Sequence, residues 1–252
     1  MEISKGIQIV DTALWFEAEK ALVINDLHLG YEEALHRKGI LAPKSQLKLI
    51  IKKMEDIFQK VKPNQIIING DLKHEFGKVS YREWKEVLDF LDFLLANVSE
   101  VIIIKGNHDS VIKPITNKKE VVVVDKLKFG ETLIVHGDAL VETNAKRIVI
   151  GHEHPAITIR EGSKWEKYKC FLKGKWHQKA SLSGTSGKGK LFQKKSKELI
   201  AVPSFNPLLE GTDVLKEELL SPFLKNKNIK NFEVYVVGEK ETFRFGRVKD
   251  IV

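Results

Sequence analysis

Five short apolar runs, each ending in a loop that carries Asp, Asn or His, constrain this chain more than any other feature. They read ALVIN (21–25), QIIIN (65–69), VIIIK (101–105), TLIV (132–135) and RIVI (147–150), with a further run, VVVV, at 121–124. The runs are continuous rather than alternating, as expected of strands buried on both faces. Helical patterns lie between the first three. Residues 43–61 open with Pro43 and repeat apolar positions at Leu47, Ile50, Ile51, Met54 and Phe58. Residues 80–98 begin with Ser80 and place Glu83 three positions on, the spacing of a capping box. Strands alternating with helices predict an α/β layered domain. After His154 the runs become short and alternating (AITIR, YKCFL, LIAVP, FEVYVV, TFRF), which predicts a second, more antiparallel sheet. No Pro/Ser-rich linker and no repeat divides the chain. Residues 1–252 therefore read as one domain, with a motif-bearing part over 26–154 and a basic, strand-rich part over 155–252.

The polar residues at the ends of the runs carry the chemistry. ALVIN leads into Asp26 and His28, QIIIN into Gly70 and Asp71, and VIIIK into Gly106, Asn107, His108 and Asp109. TLIV leads into His136, Gly137 and Asp138, and RIVI into Gly151, His152 and His154. In open α/β sheets, sites form outside the carboxyl ends of the strands. Histidine is scarce, eight in 252 residues, yet six (28, 74, 108, 136, 152 and 154) fall in these loops or just beyond. Any one of them could be a bland loop residue; the joint pattern points to a metal site. Imidazole, carboxylate and an Asn amide oxygen suit manganese, iron, nickel or zinc. Cys170 is the only cysteine, so a cysteine-based zinc cluster is excluded. A carboxylate such as Asp71 can bridge two cations ~3.5–4 Å apart, and pairing His152 with His154 lets one loop serve both. The H-E-H stretch lacks the H-E-x-x-H spacing of zinc proteases. His36 and His177 belong to no motif and read as surface residues.

Composition bounds the setting. Hydrophobic residues make up 42% and charged residues 30%, the balance of a globular protein. No apolar run approaches the ~20 residues of a membrane span, and the first residues lack a signal peptide's apolar core, so a cytoplasmic enzyme with no membrane partner is expected. The net charge of +8 is uneven: Arg160 to Lys197 hold twelve Lys/Arg against two Glu, interleaved with Trp165, Tyr168, Phe171, Trp176 and Phe192. That mixture suits a phosphate backbone with unstacked bases. It nominates Lys173, Lys175, Lys179, Trp165 and Trp176 as nucleic-acid contacts, part of them near the metals because the stretch follows His154. The bland alternative is a solvated face with a few core aromatics. GTSGKGKL (184–191) imitates a nucleotide-binding P-loop, but Leu191 stands where Ser or Thr should hold magnesium.

The ordered motifs Asp26-Leu27-His28, Gly70-Asp71, Gly106-Asn107-His108-Asp109, His136 and Gly151-His152-Glu153-His154 resemble the calcineurin-like metallophosphoesterase superfamily. DLHLG (26–30) and GDLKH (70–74) are similar to the SbcD nuclease subunit and its double-strand-break repair relatives. VHGD (135–138) and PSFNPLLEGTDVL (203–215) resemble small SbcD-related phosphoesterases of archaea, whose bacterial cousins are encoded beside a ligase and a helicase. The resemblance implies a layered sandwich of two mixed β-sheets flanked by helices, and two divalent ions, manganese foremost. One ion would be held by Asp26, His28, Asp71 and His154, the second by Asp71, Asn107, His136 and His152. Two such ions lower the pKa of a bridging water toward ~7 and clamp the phosphate oxygens. His108 then fits the role of leaving-group acid, with Asp109 holding its ring, and His74 that of a further phosphate contact. About a hundred residues follow His154, too few for the capping and partner-binding region of the repair nuclease, so processive end resection is not expected. The expected function is a dinuclear-metal phosphodiesterase, a nuclease on DNA or RNA. The alternatives are a small-molecule phosphoesterase acting on nucleotides or cyclic nucleotides, and a non-catalytic, metal-stabilised subunit of a repair complex. The complete ligand set with His108 argues against the last.

Overall fold

Every residue of the run Ala21–Asn25 is buried in the computed structural model, which describes residues 1–41, 45–77, 79–177, 196–225 and 229–251. The first sheet contains β1 (Glu2–Ser4), β2 (Ile7–Val10), β3 (Ala13–Phe16), β4 (Ala21–Asn25), β5 (Gln65–Asn69), β6 (Glu100–Ile104) and β7 (Val122–Val124), in that spatial order. The strands from β4 to β7 are parallel, and β4 and β5 pair residue for residue from Ala21↔Gln65 to Asn25↔Asn69. Their following loops therefore leave the sheet at one edge. The antiparallel meander β1–β3 was not expected from the sequence, because its buried residues are mixed with turns rather than gathered in one run.

The second sheet starts earlier than expected. It contains β8 (Leu127–Phe129), β9 (Thr132–Val135), β10 (Arg147–Ile150), β11 (Pro155–Glu161), β12 (Lys164–His177), β13 (Ser196–Ala201), β14 (Thr212–Asp213), β15 (Glu233–Val237) and β16 (Thr242–Arg247). β10 pairs in parallel with both β9 and β13, so TLIV and RIVI belong here and not with the first three runs. The change of pattern after His154 falls inside the second sheet, whose β8 and β9 are already antiparallel, and is not a boundary between sheets.

Three apolar layers hold the sandwich. Ile67, Ile102 and Ile104 of the first sheet face Ile134, Val149, Phe171 and Ile200 of the second. The outer face of the first sheet (Ile24, Ile66, Ile68, Ile103) packs on helices α2 (Gln46–Lys60) and α3 (Tyr81–Asn97), which follow the short α1 (Tyr31–Arg37), through Ile50, Met54, Phe90 and Leu94. The outer face of the second sheet is covered by Phe223, Leu224 and Ile229 instead of a long helix. Each such fully buried aliphatic or aromatic side chain stabilises the fold by ~1.5–3 kcal/mol. Among the described residues, no helix is long and apolar enough to cross a membrane. Pro43, Lys179 and the GTSGKGKL stretch lie outside the described residues.

The expected capping box of α3 is half formed. The Ser80 side chain accepts the Glu83 N–H at 3.1 Å. The Glu83 carboxylate, however, accepts the N–H groups of His74 (2.9 Å) and Glu75 (2.8 Å) instead of reaching back to Ser80. The helix terminus is thereby tied to the loop after β5. Glu83→Ala removes the acceptor of a part-buried N–H pair and should destabilise the fold by about 2 kcal/mol, with Glu83→Gln costing less. Urea unfolding of the two variants checks this, and equal midpoints for wild type and Glu83→Ala would refute it.

Candidate metal centre

The loops after β4, β5, β6, β9 and β10 meet around one carboxylate oxygen. Asp71 Oδ2 lies 3.6 Å from His28 Nε2 and 3.4 Å from His136 Nε2. On one side, His154 Nε2 stands 3.5 Å from Asp26 Oδ2, and Asp26, His28 and His154 each offer a ligand atom within 4.8 Å of the others. On the other, His136 Nε2 is 2.9 Å from Asn107 Oδ1 and 3.2 Å from His152 Nδ1. Donor atoms that share one ion at about 2.1 Å sit roughly 3–3.5 Å apart. Buried polar atoms without partners are rare, yet His28 Nε2 and His154 Nε2 have no hydrogen-bond partner, and Asp26 Oδ1 and His136 Nδ1 have only each other, at 3.4 Å. These residues fit two cations with Asp71 between them.

The backbone is bent to bring them there. Among the described residues, seven non-glycine residues have positive φ, and five are Asp26, His28, Asp71, His152 and His154. Left-handed backbone is unfavourable for such side chains and persists only where the surroundings hold it. Here the loops hold one another: His28 N–H donates to Asp71 O (2.8 Å), His108 N–H to Asp71 Oδ1 (2.9 Å), and His152 N–H to Asp26 Oδ2 (3.1 Å). Two glycines permit the approach. A Cβ on Gly70 would stand 1.9 Å from His136 Nδ1, and one on Gly106 2.2 Å from Asp71 Oδ1.

Several supporting residues were missed by sequence reasoning. Buried Glu153, between His152 and His154, accepts the N–H groups of Leu220 (2.9 Å) and Ser221 (2.8 Å). Ser204 Oγ donates to Asp26 O at 2.7 Å, so the PSFNP stretch braces the first ligand loop. Gln46 Nε2 donates to His28 O at 2.8 Å, and the Lys73 ammonium to the carbonyls of His108 and Glu75. A charged residue lodged inside an apolar or ligand-bearing loop, as with Lys73 and Glu153, was the available signal.

A sequence model of calcineurin-like phosphoesterases matches residues 20–238. The chain belongs to this family. Among solved structures, it is similar to the nuclease MPE of Pseudomonas putida, with TM-score 0.63, 17% identity and 92% of each chain covered. It is also similar to YfcE, a phosphoesterase from E. coli, with TM-score 0.39, 12% identity, and 92% of this chain and 94% of that one covered. Among curated proteins, no sequence matches. The family match makes the chain a metal-dependent phosphoesterase, as its motifs implied.

Other expected residues divide. His108 and His74 adjoin the centre: His108 Nε2 is 3.9 Å from Asp71 Oδ2, and His74 Nδ1 is 3.4 Å from His28 Nδ1. Asp109 does not hold the His108 ring. Its buried carboxylate accepts the backbone N–H groups of Gly106 (3.0 Å), Leu72 and Lys73 (3.4 Å each), while His108 Nδ1 meets the His74 carbonyl. Trp176 is buried against Phe223 at 5.2 Å and cannot stack on a base. Strand alternation puts it on the core face between exposed Lys175 and His177. Lys175 is level with Glu198 and so with Arg147, about 10 Å of strand below the ligand end of β10. Lys173 is tied to Ile3 O at 2.7 Å. Trp165 is exposed but pairs with Arg160, about 17 Å up the hairpin from Pro155, and carries Lys216 over its ring at 4.2 Å.

Electrostatics sharpen the need for cations. Burial, then the charge of Asp26, pushes the Asp71 carboxyl up to about 9 in the metal-free protein. Burial lowers His74 and His152 to about 4, and holds His28 well below its usual value with help from His154, His108 and His74. Between pH 4 and 6.5 the unfolded chain binds more protons at these histidines, so stability rises with pH there. Asp71 acts oppositely, because the folded state keeps its proton up to about pH 9. The histidines drop out above pH 6.5 and leave Asp71. The melting temperature of the metal-free protein should therefore fall from pH 6.5 toward pH 9. Manganese should abolish the alkaline fall, and Asp71→Asn should shrink it without metal. A metal-free profile flat from pH 6.5 to 9 would contradict this account of Asp71.

Proposed function

We propose that this phosphoesterase is a phosphodiesterase that cleaves nucleic acid, with manganese as its metal and the cytoplasm as its compartment. The supporting observation is that the centre opens on two flanks, as a diester with two substituents requires. One flank carries His74 and His108 with exposed Phe76. The other is a cavity of about 390 Å³ beside Asn107 and His136, lined by Lys105, Ser110, Asp125 and Asp138. The likeness to a nuclease over 92% of both chains supports the same reading. Lys173 and Lys175 of the basic stretch do not, since they run toward the far end of the strands.

Asp26, His28, Asp71 and His154 would hold one ion, and Asp71, Asn107, His136 and His152 the other. Bound there, the pair would supply an ionised water as nucleophile and neutralise the phosphate oxygens. His108 is the leaving-group acid of this reading. Its Nδ1 is engaged by the His74 carbonyl, which fixes the ring and leaves Nε2 to carry the proton toward the substrate. Burial, with Lys73 and neighbouring histidines adding to it, lowers the His108 pKa, so the protonated ring is a stronger acid than free imidazole.

A substrate panel with manganese tests the class: bis(p-nitrophenyl) phosphate, p-nitrophenyl phosphate, and single-stranded and duplex DNA and RNA. Hydrolysis of diesters and at least one polynucleotide, abolished by EDTA, is expected. Activity confined to monoesters or mononucleotides would favour the small-molecule reading. His108→Gln should keep both metals yet lose ~10²–10⁴-fold in rate on a polynucleotide. The loss should shrink on the nitrophenyl diester, whose leaving group needs little protonation. An undiminished rate on the polynucleotide would remove His108 from the role.

A further inference from the structure

Four rings stand in a row along the open flank of the centre. Tyr31 lies edge-on to His74 at 5.0 Å, His74 stacks on His108 at 5.6 Å and 25°, and Phe76 covers His108 at 3.7 Å and 34°. The row ends in solvent, because Phe76 is 62% exposed. An isolated exposed phenylalanine needs no explanation. This one lies against the residue that meets the leaving group.

The loop that carries it is tied on several sides. Glu83 accepts the N–H groups of His74 and Glu75, and the buried Lys73 ammonium donates to the carbonyls of Glu75 and His108. Arg37 pairs with Glu75 at 2.6 Å. The Phe76 ring is therefore presented by anchored neighbours, one face on the imidazole and the other open.

We propose that the open face of Phe76 is a stacking subsite for the nucleobase of the leaving nucleoside. The inference rests on the nuclease reading above and names which side of the diester is recognised. A leaving oxygen that takes its proton from His108 Nε2 draws the attached nucleoside alongside the imidazole, where the next surface is Phe76. A base there extends the row by one more flat ring and shields apolar surface from water. Such stacking is tolerant of sequence, because every base has a π-face. A leaving group without a ring gains nothing from it.

Matched dinucleotides test the subsite, one intact and one with a tetrahydrofuran abasic residue on the leaving side, that side being read from the products. With manganese, wild-type kcat/KM should favour the intact dinucleotide about tenfold or more, the worth of one base–aromatic stack. Phe76→Ala should bring that ratio to roughly one, and Phe76→Trp should preserve it. A merely structural role for Phe76 would lower both substrates equally and leave the ratio unchanged, which overturns the proposal. So would a Phe76 effect that follows the base on the non-leaving side. If the wild type cleaves both dinucleotides alike, the subsite alone falls. If it hydrolyses bis(p-nitrophenyl) phosphate but neither dinucleotide, the nucleic-acid reading fails and the subsite with it.

Discussion

The carboxylate of Asp71 is the constraint on which the site depends. One oxygen is committed to the His108 backbone, and the other faces His28 and His136 from opposite ligand sets. A buried carboxylate with Asp26 nearby is held protonated, up to about pH 9, unless positive charge is supplied. The protein supplies little of it: His28, His74, His108 and His152 are pushed toward their neutral forms, by burial first and then by neighbouring charges. Neutral imidazoles have lone pairs to offer, and a bridging carboxylate needs cations, so the same pair of ions would meet both demands.

That demand explains the shape of the fold around it. Three ligand loops come from parallel strands of one sheet and two from parallel strands of the other. The centre thus sits where the carboxyl ends of both sheets meet, and Asn69 Nδ2 bonded to Val135 O at 3.0 Å links them there. Left-handed backbone at five ligands is sustained by loop-to-loop hydrogen bonds, by buried Lys73 and Glu83, whose polar groups reach backbone atoms of the loops after β5 and β6, and by buried Glu153, which ties its own loop to Leu220 and Ser221. These charged side chains take up positions that apolar residues could fill by packing alone. Their contribution is to fix where the ligand atoms point.

The strands and ligands were legible because burial on both faces writes itself as an unbroken apolar run, and metal chemistry writes itself in residue type. ALVIN, QIIIN, TLIV and RIVI coincide with β4, β5, β9 and β10 to the residue. The partition into two sheets was not legible. It depends on Ile150 pairing with Ala201, a contact across fifty residues that leaves no local mark. Asp109 misled for a related reason. A carboxylate next to a histidine reads the same whether it meets the ring or three backbone N–H groups. Trp176 in a basic stretch read as a stacking residue because only strand register reveals that it faces inward.

The division of the basic stretch bears on recognition. The β11–β12 hairpin rises past the ligand end of the second sheet, whereas Lys173 and Lys175 descend from it. A backbone following the described charges would have to leave the centre in both directions, and among them the cation that feels the ligand Asp26, Lys169, is spent on the carbonyls of Ser204 and Asn206. Residues that do border the centre include Phe76 and His74 on one flank, and Lys105, Ser110 and Asp138 on the other. Two of these are rings and one is a cation. Under the nucleic-acid reading proposed above, contact with a base and with a single phosphate or sugar would be the natural unit of recognition, rather than a long electrostatic track. Selectivity in this phosphoesterase would then be set within one nucleotide on either side of the scissile bond, by the same loops that hold the ligands.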